Sequence, residues 1–219
     1  MAAIFVLSHL IADYPLQTEW MVEAKKIWWG RLLHVSVHFL VLAALTIGYW
    51  SSLLPFIVAL TVSHYLIDTL KAHLGRTHPD WVIGPYILDQ ALHFITLGTA
   101  AVWIAQVLPP SAYPRSAPWA VFLSGYLFVT YVWHISERIM SHKDQPYKAE
   151  VEEMFWTRMV GRAAWLTLFI FIWQWALGGP RIATLPYVTG RHRSRALIVD
   201  LAVTMMTALL VVFSLQIGL

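Results

Sequence analysis

The residues able to do chemistry in this chain recur at one spacing. The first 95 residues hold seven His and four Asp, and eight of these pair four apart: His9 with Asp13, His34 with His38, His64 with Asp68, and Asp89 with His93. Scattering eleven such groups would give about one pair at this interval. Residues four apart on a helix lie one turn above each other on the same face, which is how one helix offers two ligands to one metal ion. Imidazole nitrogen and carboxylate oxygen suit Zn, Fe or Mn, and the chain has no Cys for a thiolate site. This reading makes His34, His38, His64, Asp68, Asp89 and His93 ligands of a divalent metal, zinc first, with iron or manganese as alternatives. Asp13, with His9 beside it, is the general-base candidate. Lys71, three residues after Asp68, is the candidate to hold an anionic substrate group; the alternative is an end-of-helix lysine whose stem lies along apolar surface. Gln17, Glu19 and Gln90 border the same pocket as candidates to orient ligands.

Those pairs must be positioned by membrane helices. Of the 219 residues, 58% are hydrophobic and 12% charged, with 12 Trp. A soluble domain carries about twice that charge, so the composition excludes a soluble enzyme, a disordered tail and a nucleic-acid-binding module. Crossing about 30 Å of hydrocarbon takes roughly 20 helical residues. Six stretches meet or approach this: Leu32–Trp50, Leu53–Leu70, Ile83–Val107, Trp119–Ser136, Met159–Leu177 and Ala196–Ile217. Ala2–Ala12 is apolar but about half that length, and Pro15 follows it closely. Ala2–Leu7 has no preceding basic residue and is followed at once by His9 and Asp13, so it reads as part of the mature chain rather than a signal peptide. The fold class is therefore an all-α polytopic membrane helix bundle of about seven helices with a short first one. It is read as a single integral membrane domain over 1–219, with the His/Asp-rich half at 1–107 and supporting helices at 108–219. An interfacial helix is predicted over Lys148–Phe155.

The spans bring the four pairs to one depth. His9/Asp13 ends the first helix and His34/His38 begins the second; His64/Asp68 ends the third and Asp89/His93 begins the fourth. Loops on that side carry ten basic residues (Lys25, Lys26, Arg31, Lys71, Arg76, Arg138, Lys143, Lys148, Arg158, Arg162). The other side carries five: Arg115, Arg181, Arg191, Arg193 and Arg195. An excess of Lys and Arg marks the cytoplasmic side, which predicts the N-terminus outside and the C-terminus inside. Trp20, Trp28, Trp29, Trp81 and Trp156 near one boundary, and Trp50, Trp119, Trp173 and Trp175 near the other, fit aromatic belts. His134, Glu137 and Arg138 end a helix on the cytoplasmic side and are candidates to close the pocket. Asp200, one turn inside the last helix, is expected at the opposite side without a partner.

The strings His9-Leu-Ile-Ala-Asp13-Tyr-Pro15-Leu-Gln17, Leu33-His34-Val-Ser-Val-His38, Ser63-His64-Tyr-Leu-Ile-Asp68 and Leu88-Asp89-Gln90-Ala-Leu-His93, in this order, resemble a bacterial and phage membrane-protein family, domain of unknown function 3307, over about residues 4–105. That resemblance implies a bacterial inner-membrane protein and names no reaction. The ligand logic is also similar to that of seven-helix zinc amidases of the ceramidase and adiponectin-receptor type, although position 60 is Leu where those carry Ser. The expected activity is metal-dependent hydrolysis of a lipid or lipid-linked substrate near the cytoplasmic face, with membrane lipids as partners. The alternatives are a non-haem diiron oxidoreductase, a transporter or proton relay built from the same residues, and a non-catalytic accessory subunit.

Overall fold

The computed structural model describes residues 1–176 and 194–216, and every regular element among them is helical. In chain order these are α1 (Ala2–Asp13), α2 (Glu19–Ala24), α3 (Trp28–Leu45), α4 (Trp50–Thr77), α5 (Ile83–Val107), α6 (Pro118–Leu127), α7 (Trp133–Met140), α8 (Gln145–Glu153), α9 (Phe155–Ala176) and α10 (Ser194–Gln216). A 3₁₀ turn at Ile47–Tyr49 leads into α4, and a π-helical segment at Phe128–Val132 joins α6 to α7. Six helical stretches are long and apolar enough to cross a membrane: Trp28–Leu45, Ile47–Thr77, Ile83–Val107, Pro118–Met140, Phe155–Ile172 and Ala196–Gln216. The protein is an integral membrane protein. With α1, the apolar helices number the seven that hydropathy predicts.

The boundaries differ where local chemistry overrides hydropathy. α4 continues past Leu70 to Thr77 because nothing breaks a helix before Pro79; only its side chains become polar. α8 starts at Gln145 rather than Lys148, since the Asp144 side chain accepts from the Tyr147 N–H (3.2 Å) and Pro146 occupies the first turn. α2 lies inside what hydropathy reads as a loop, capped by Thr18, whose Oγ1 accepts from the Met21 N–H. Most of the connection Gly178–Arg195, residues 178–193 with Arg181, Arg191 and Arg193, the side chains of Trp173, Trp175 and Arg195, and the expected span ends Leu177 and Ile217 lie outside the described residues.

The chain forms two compact units. In the first, Met1–Ala120, α1 packs on α3 and α5, α3 on α4, and α4 on α5. α1 is only about 18 Å long at 1.5 Å per residue, and Ile4, Phe5, Leu7, Leu10 and Ala12 are all buried. Most of the helix is thus covered by α3 and α5, so its short length is no obstacle. The α2–α3 junction depends on a glycine. A Cβ on Gly30 would lie 1.9 Å from the Ala24 carbonyl oxygen, so only Gly lets the first turn of α3 pass under the end of α2. Outward-facing Trp20, Trp28 and Trp29, all at least 43% exposed, ring this end, as interfacial tryptophans do.

The second unit begins at Val121. A Cβ on Gly125 would lie within 4 Å of Leu166, Thr207 and Val211, while Arg158 bonds Asp200. Leu166 is eight residues beyond Arg158, and Thr207 seven beyond Asp200; the two helices keep level only if α9 and α10 run parallel. Strict alternation predicted the reverse. Asp200 therefore lies at the Arg158 end with partners, not alone at the opposite side, and the premise for a C-terminus inside is removed.

Candidate metal centre

Four helices of the first unit deliver the four spaced pairs to one buried place. Asp13 Oδ1 lies 3.0 Å from His34 Nε2 and 2.9 Å from His38 Nε2. His64 Nε2 lies 3.3 Å from His34 Nε2 and 3.7 Å from Asp13 Oδ1. A tetrahedral ion about 2.0–2.1 Å from each donor requires donor–donor edges of about 3.3–3.4 Å, and these four separations bracket that value. Asp13, His34, His38 and His64 thus offer one oxygen and three nitrogens, all within 4.8 Å of one another. All four residues are at least nine-tenths buried.

Two further sets adjoin the first. His9, Asp13 and His93 form one, and His64, Asp68 and His93 the other, so Asp13, His64 and His93 are each shared. His93 Nδ1–H donates to the Asp89 carbonyl oxygen one turn back, at 2.9 Å. That bond fixes the tautomer and leaves Nε2 with a lone pair, buried and with no hydrogen-bond partner. His9 Nε2 is 3.4 Å from Asp13 Oδ2 but out of line for a hydrogen bond.

The three carboxylates are treated differently. Lys25 Nζ lies 3.0 Å from Asp68 Oδ2 and also donates to Gln17 Oε1. Lys71 Nζ donates to Asp89 Oδ2 at 2.7 Å, and Gln90 Nε2 to the same oxygen at 3.0 Å. Among the described residues, no ammonium or guanidinium lies within 4 Å of Asp13, which faces only imidazoles. A buried carboxylate without a cation is costly. The donor set therefore fits a metal ion both in its separations and in the charge it leaves uncompensated.

The structure sorts the predicted residues. His9, Asp13, His34, His38, His64, Asp68 and His93 converge. Asp89 does not join any of the three sets; it is committed to Lys71 and Gln90 and orients His93 through its carbonyl. Asp13, expected as a base, presents both oxygens to the histidines. Lys71 borders a shallow crevice between α4 and α5, lined by Leu70, Leu74, Leu88 and Leu92, and its side chain is 36% exposed. Lys25 was legible only as a basic loop residue, because nothing in its spacing tells that α2 folds back over Asp68. Tyr14, next to Asp13, is a second residue missed: its hydroxyl lies 3.3 Å from Tyr86 OH and donates to Gln90 Oε1. Burial pushes its phenol above the ordinary value.

In the second unit, Glu137 is engaged elsewhere than in a metal set. Arg158 donates to Asp200 (2.6 and 2.9 Å) and to Glu137 Oε1 (2.9 Å), and Arg162 to Asp200 Oδ1 (3.0 Å). Tyr147 of α8 donates to Glu137 Oε1. His134 packs edge-on against Phe155, and Arg138 pairs with Glu152. Arg158 and Arg162, counted above among the basic loop residues, are buried inside α9.

Fold and cluster together define a polytopic all-α membrane protein with a buried His/carboxylate site carried by its first four apolar helices. The sequence model of a family described as "Protein of unknown function (DUF3307)" matches residues 1–116, and the chain belongs to that family. The match ends just before α6 and so takes in every helix that carries a spaced pair. No curated protein and no solved structure matches the chain.

Proposed function

We propose that the protein is a membrane-embedded, metal-dependent hydrolase acting on a lipid or lipid-linked substrate. The observation that carries this reading is the four-donor set of Asp13, His34, His38 and His64, with donor separations from 2.9 to 3.7 Å, buried around a carboxylate that has no ammonium or guanidinium within 4 Å among the described residues. A divalent ion such as zinc, when bound, lowers the pKa of a water toward about 7 and polarises a carbonyl or phosphoryl oxygen. The chain's own groups supply the rest. Asp68, 3.6 Å from both His34 Nε2 and His64 Nε2 and held by Lys25, accepts a proton. Asp89 fixes the His93 ring. Lys71, at the edge of the leucine-lined crevice, holds an anionic group of a substrate whose apolar part lies along Leu70 and Leu88.

We place the protein in a bacterial cytoplasmic membrane with the cluster toward the cytoplasm. Within the first unit, Lys25, Lys26, Arg31, Lys71 and Arg76 stand at the cluster's end, against Arg115 alone at the other. The test is elemental analysis of purified wild type beside His34→Ala/His38→Ala. Stoichiometric zinc lost in the variant supports the reading; folded wild type without metal overturns it. Iron with a visible absorption band replaces hydrolysis by the diiron oxidoreductase reading.

A further inference from the structure

We infer that the centre holds two ions bridged by Asp13, and that the second, on His9 and His93, is the one open to substrate. This rests on the metal-centre reading above, but on different atoms. Asp13 divides its two oxygens: Oδ1 faces His34 and His38, at 3.0 and 2.9 Å, and Oδ2 faces His9, at 3.4 Å. The two oxygens of one carboxylate thus face different histidines, the arrangement that a bridging ligand requires. His9 and His93 stand together, ring centroids 4.8 Å apart. Each presents a buried Nε2 with no hydrogen-bond partner. In His93 that nitrogen is the unprotonated one, because Nδ1–H is spent on the Asp89 carbonyl. A buried imidazole lone pair left bare is costly, and the His93 Nε2 lone pair, with His9 Nε2 and Asp13 Oδ2 beside it, makes a three-donor set distinct from the first.

The donor counts assign the roles. Asp13, His34, His38 and His64 supply four donors, the full complement of a structural tetrahedral site. His9, His93 and Asp13 Oδ2 supply three donors and leave a position for water or a substrate oxygen, as catalytic sites do. His9 and Asp13 thereby become ligands, and the short α1 is the strand of chain that joins both sites. Its packing on α3 and α5 holds them in register.

Cobalt titration of the metal-stripped protein, followed by visible absorption and by elemental analysis after desalting, tests this. Wild type is expected to take up two equivalents. His93→Gln, which keeps a polar side chain of similar reach, is expected to retain one, with the tetrahedral absorption of the closed site preserved; His9→Gln is expected to behave alike. One equivalent in wild type overturns the two-ion inference and leaves the metal reading standing, whereas none overturns both. Two equivalents retained by both variants overturn the assignment of His9 and His93. If neither variant yields monodisperse protein, the wild-type stoichiometry decides.

Discussion

Asp13→Asn isolates the charge at the heart of the cluster while conserving its shape. Without metal, the change has two opposing parts. Asp13 accepts from His34 and His38, and a bond to a charged group contributes about 1.5–3 kcal/mol against about 0.5–1.5 kcal/mol for a neutral one. Two such bonds therefore lose about 2–3 kcal/mol. Against this, the variant no longer buries an uncompensated carboxylate, a relief of several kcal/mol. Metal-free Asp13→Asn is thus expected to be as stable as wild type or more so. With metal the sign reverses. At a concentration one hundred times the wild-type Kd, binding stabilises the native state by about 2.7 kcal/mol. For a chain of this length that raises Tm by about 5–11 °C. Removing an outer hydrogen-bond partner of a ligand already weakens metal binding about 10–100-fold. Loss of a ligand's charge costs at least the upper figure, and at the same metal concentration the stabilisation falls to about 0.4 kcal/mol, or about 1–2 °C. The assay is thermal unfolding of detergent-purified protein with chelator and with zinc, read by fluorescence of the 12 Trp. An Asn variant that keeps the full zinc-dependent rise, or that is strongly destabilised with chelator, would refute the reasoning.

Three further outcomes follow from the second unit. Arg158→Met leaves two buried carboxylates, Glu137 and Asp200, facing Arg162 without the second guanidinium, so it should destabilise by about 3–5 kcal/mol; a loss below about 1 kcal/mol in thermal unfolding would show the network to be incidental. Tyr147, outside the membrane spans, has its phenol pushed up to about 12 by burial and its bond to Glu137. A raised phenol favours the protonated form in the folded state, so its stabilising effect is complete below pH about 10 and lost as pH rises toward 12. That alkaline loss should be absent in Tyr147→Phe, and an unchanged alkaline profile in the variant would contradict it. The chain has no Cys, so single cysteines at Glu152 and Gln216 can be labelled from one side of the membrane at a time. Parallel α9 and α10 require the two to react from opposite faces; labelling of both from the same face would overturn that packing.

How much was legible before folding depends on the kind of information each residue carries. Spacing four is local: a helix of any orientation puts His34 beside His38 and His64 beside Asp68, so the members of the cluster could be read from the chain. Their common depth was also readable, because hydropathy counts residues from the ends of spans. Partner choice was not. Which carboxylate takes Lys25, which takes Lys71 and which is left to the histidines depends on atoms brought together across 18 to 43 positions of sequence. Neither a propensity nor a period encodes such a distance.

By itself, then, the sequence determined that this is a membrane bundle with a short first helix and four spaced His/Asp pairs at one depth near one end. Helix period and hydrocarbon thickness are properties of short windows. The tertiary structure alone decided that the Asp89 carboxylate pairs with Lys71 and Gln90, outside the three His/Asp groups, and that Asp13 divides its oxygens between two histidine sets. It alone also gave Asp200 two arginines, by running α10 parallel to α9. Each of these turns on the packing of whole helices against one another, where a shift of a few ångströms exchanges a lysine for an imidazole.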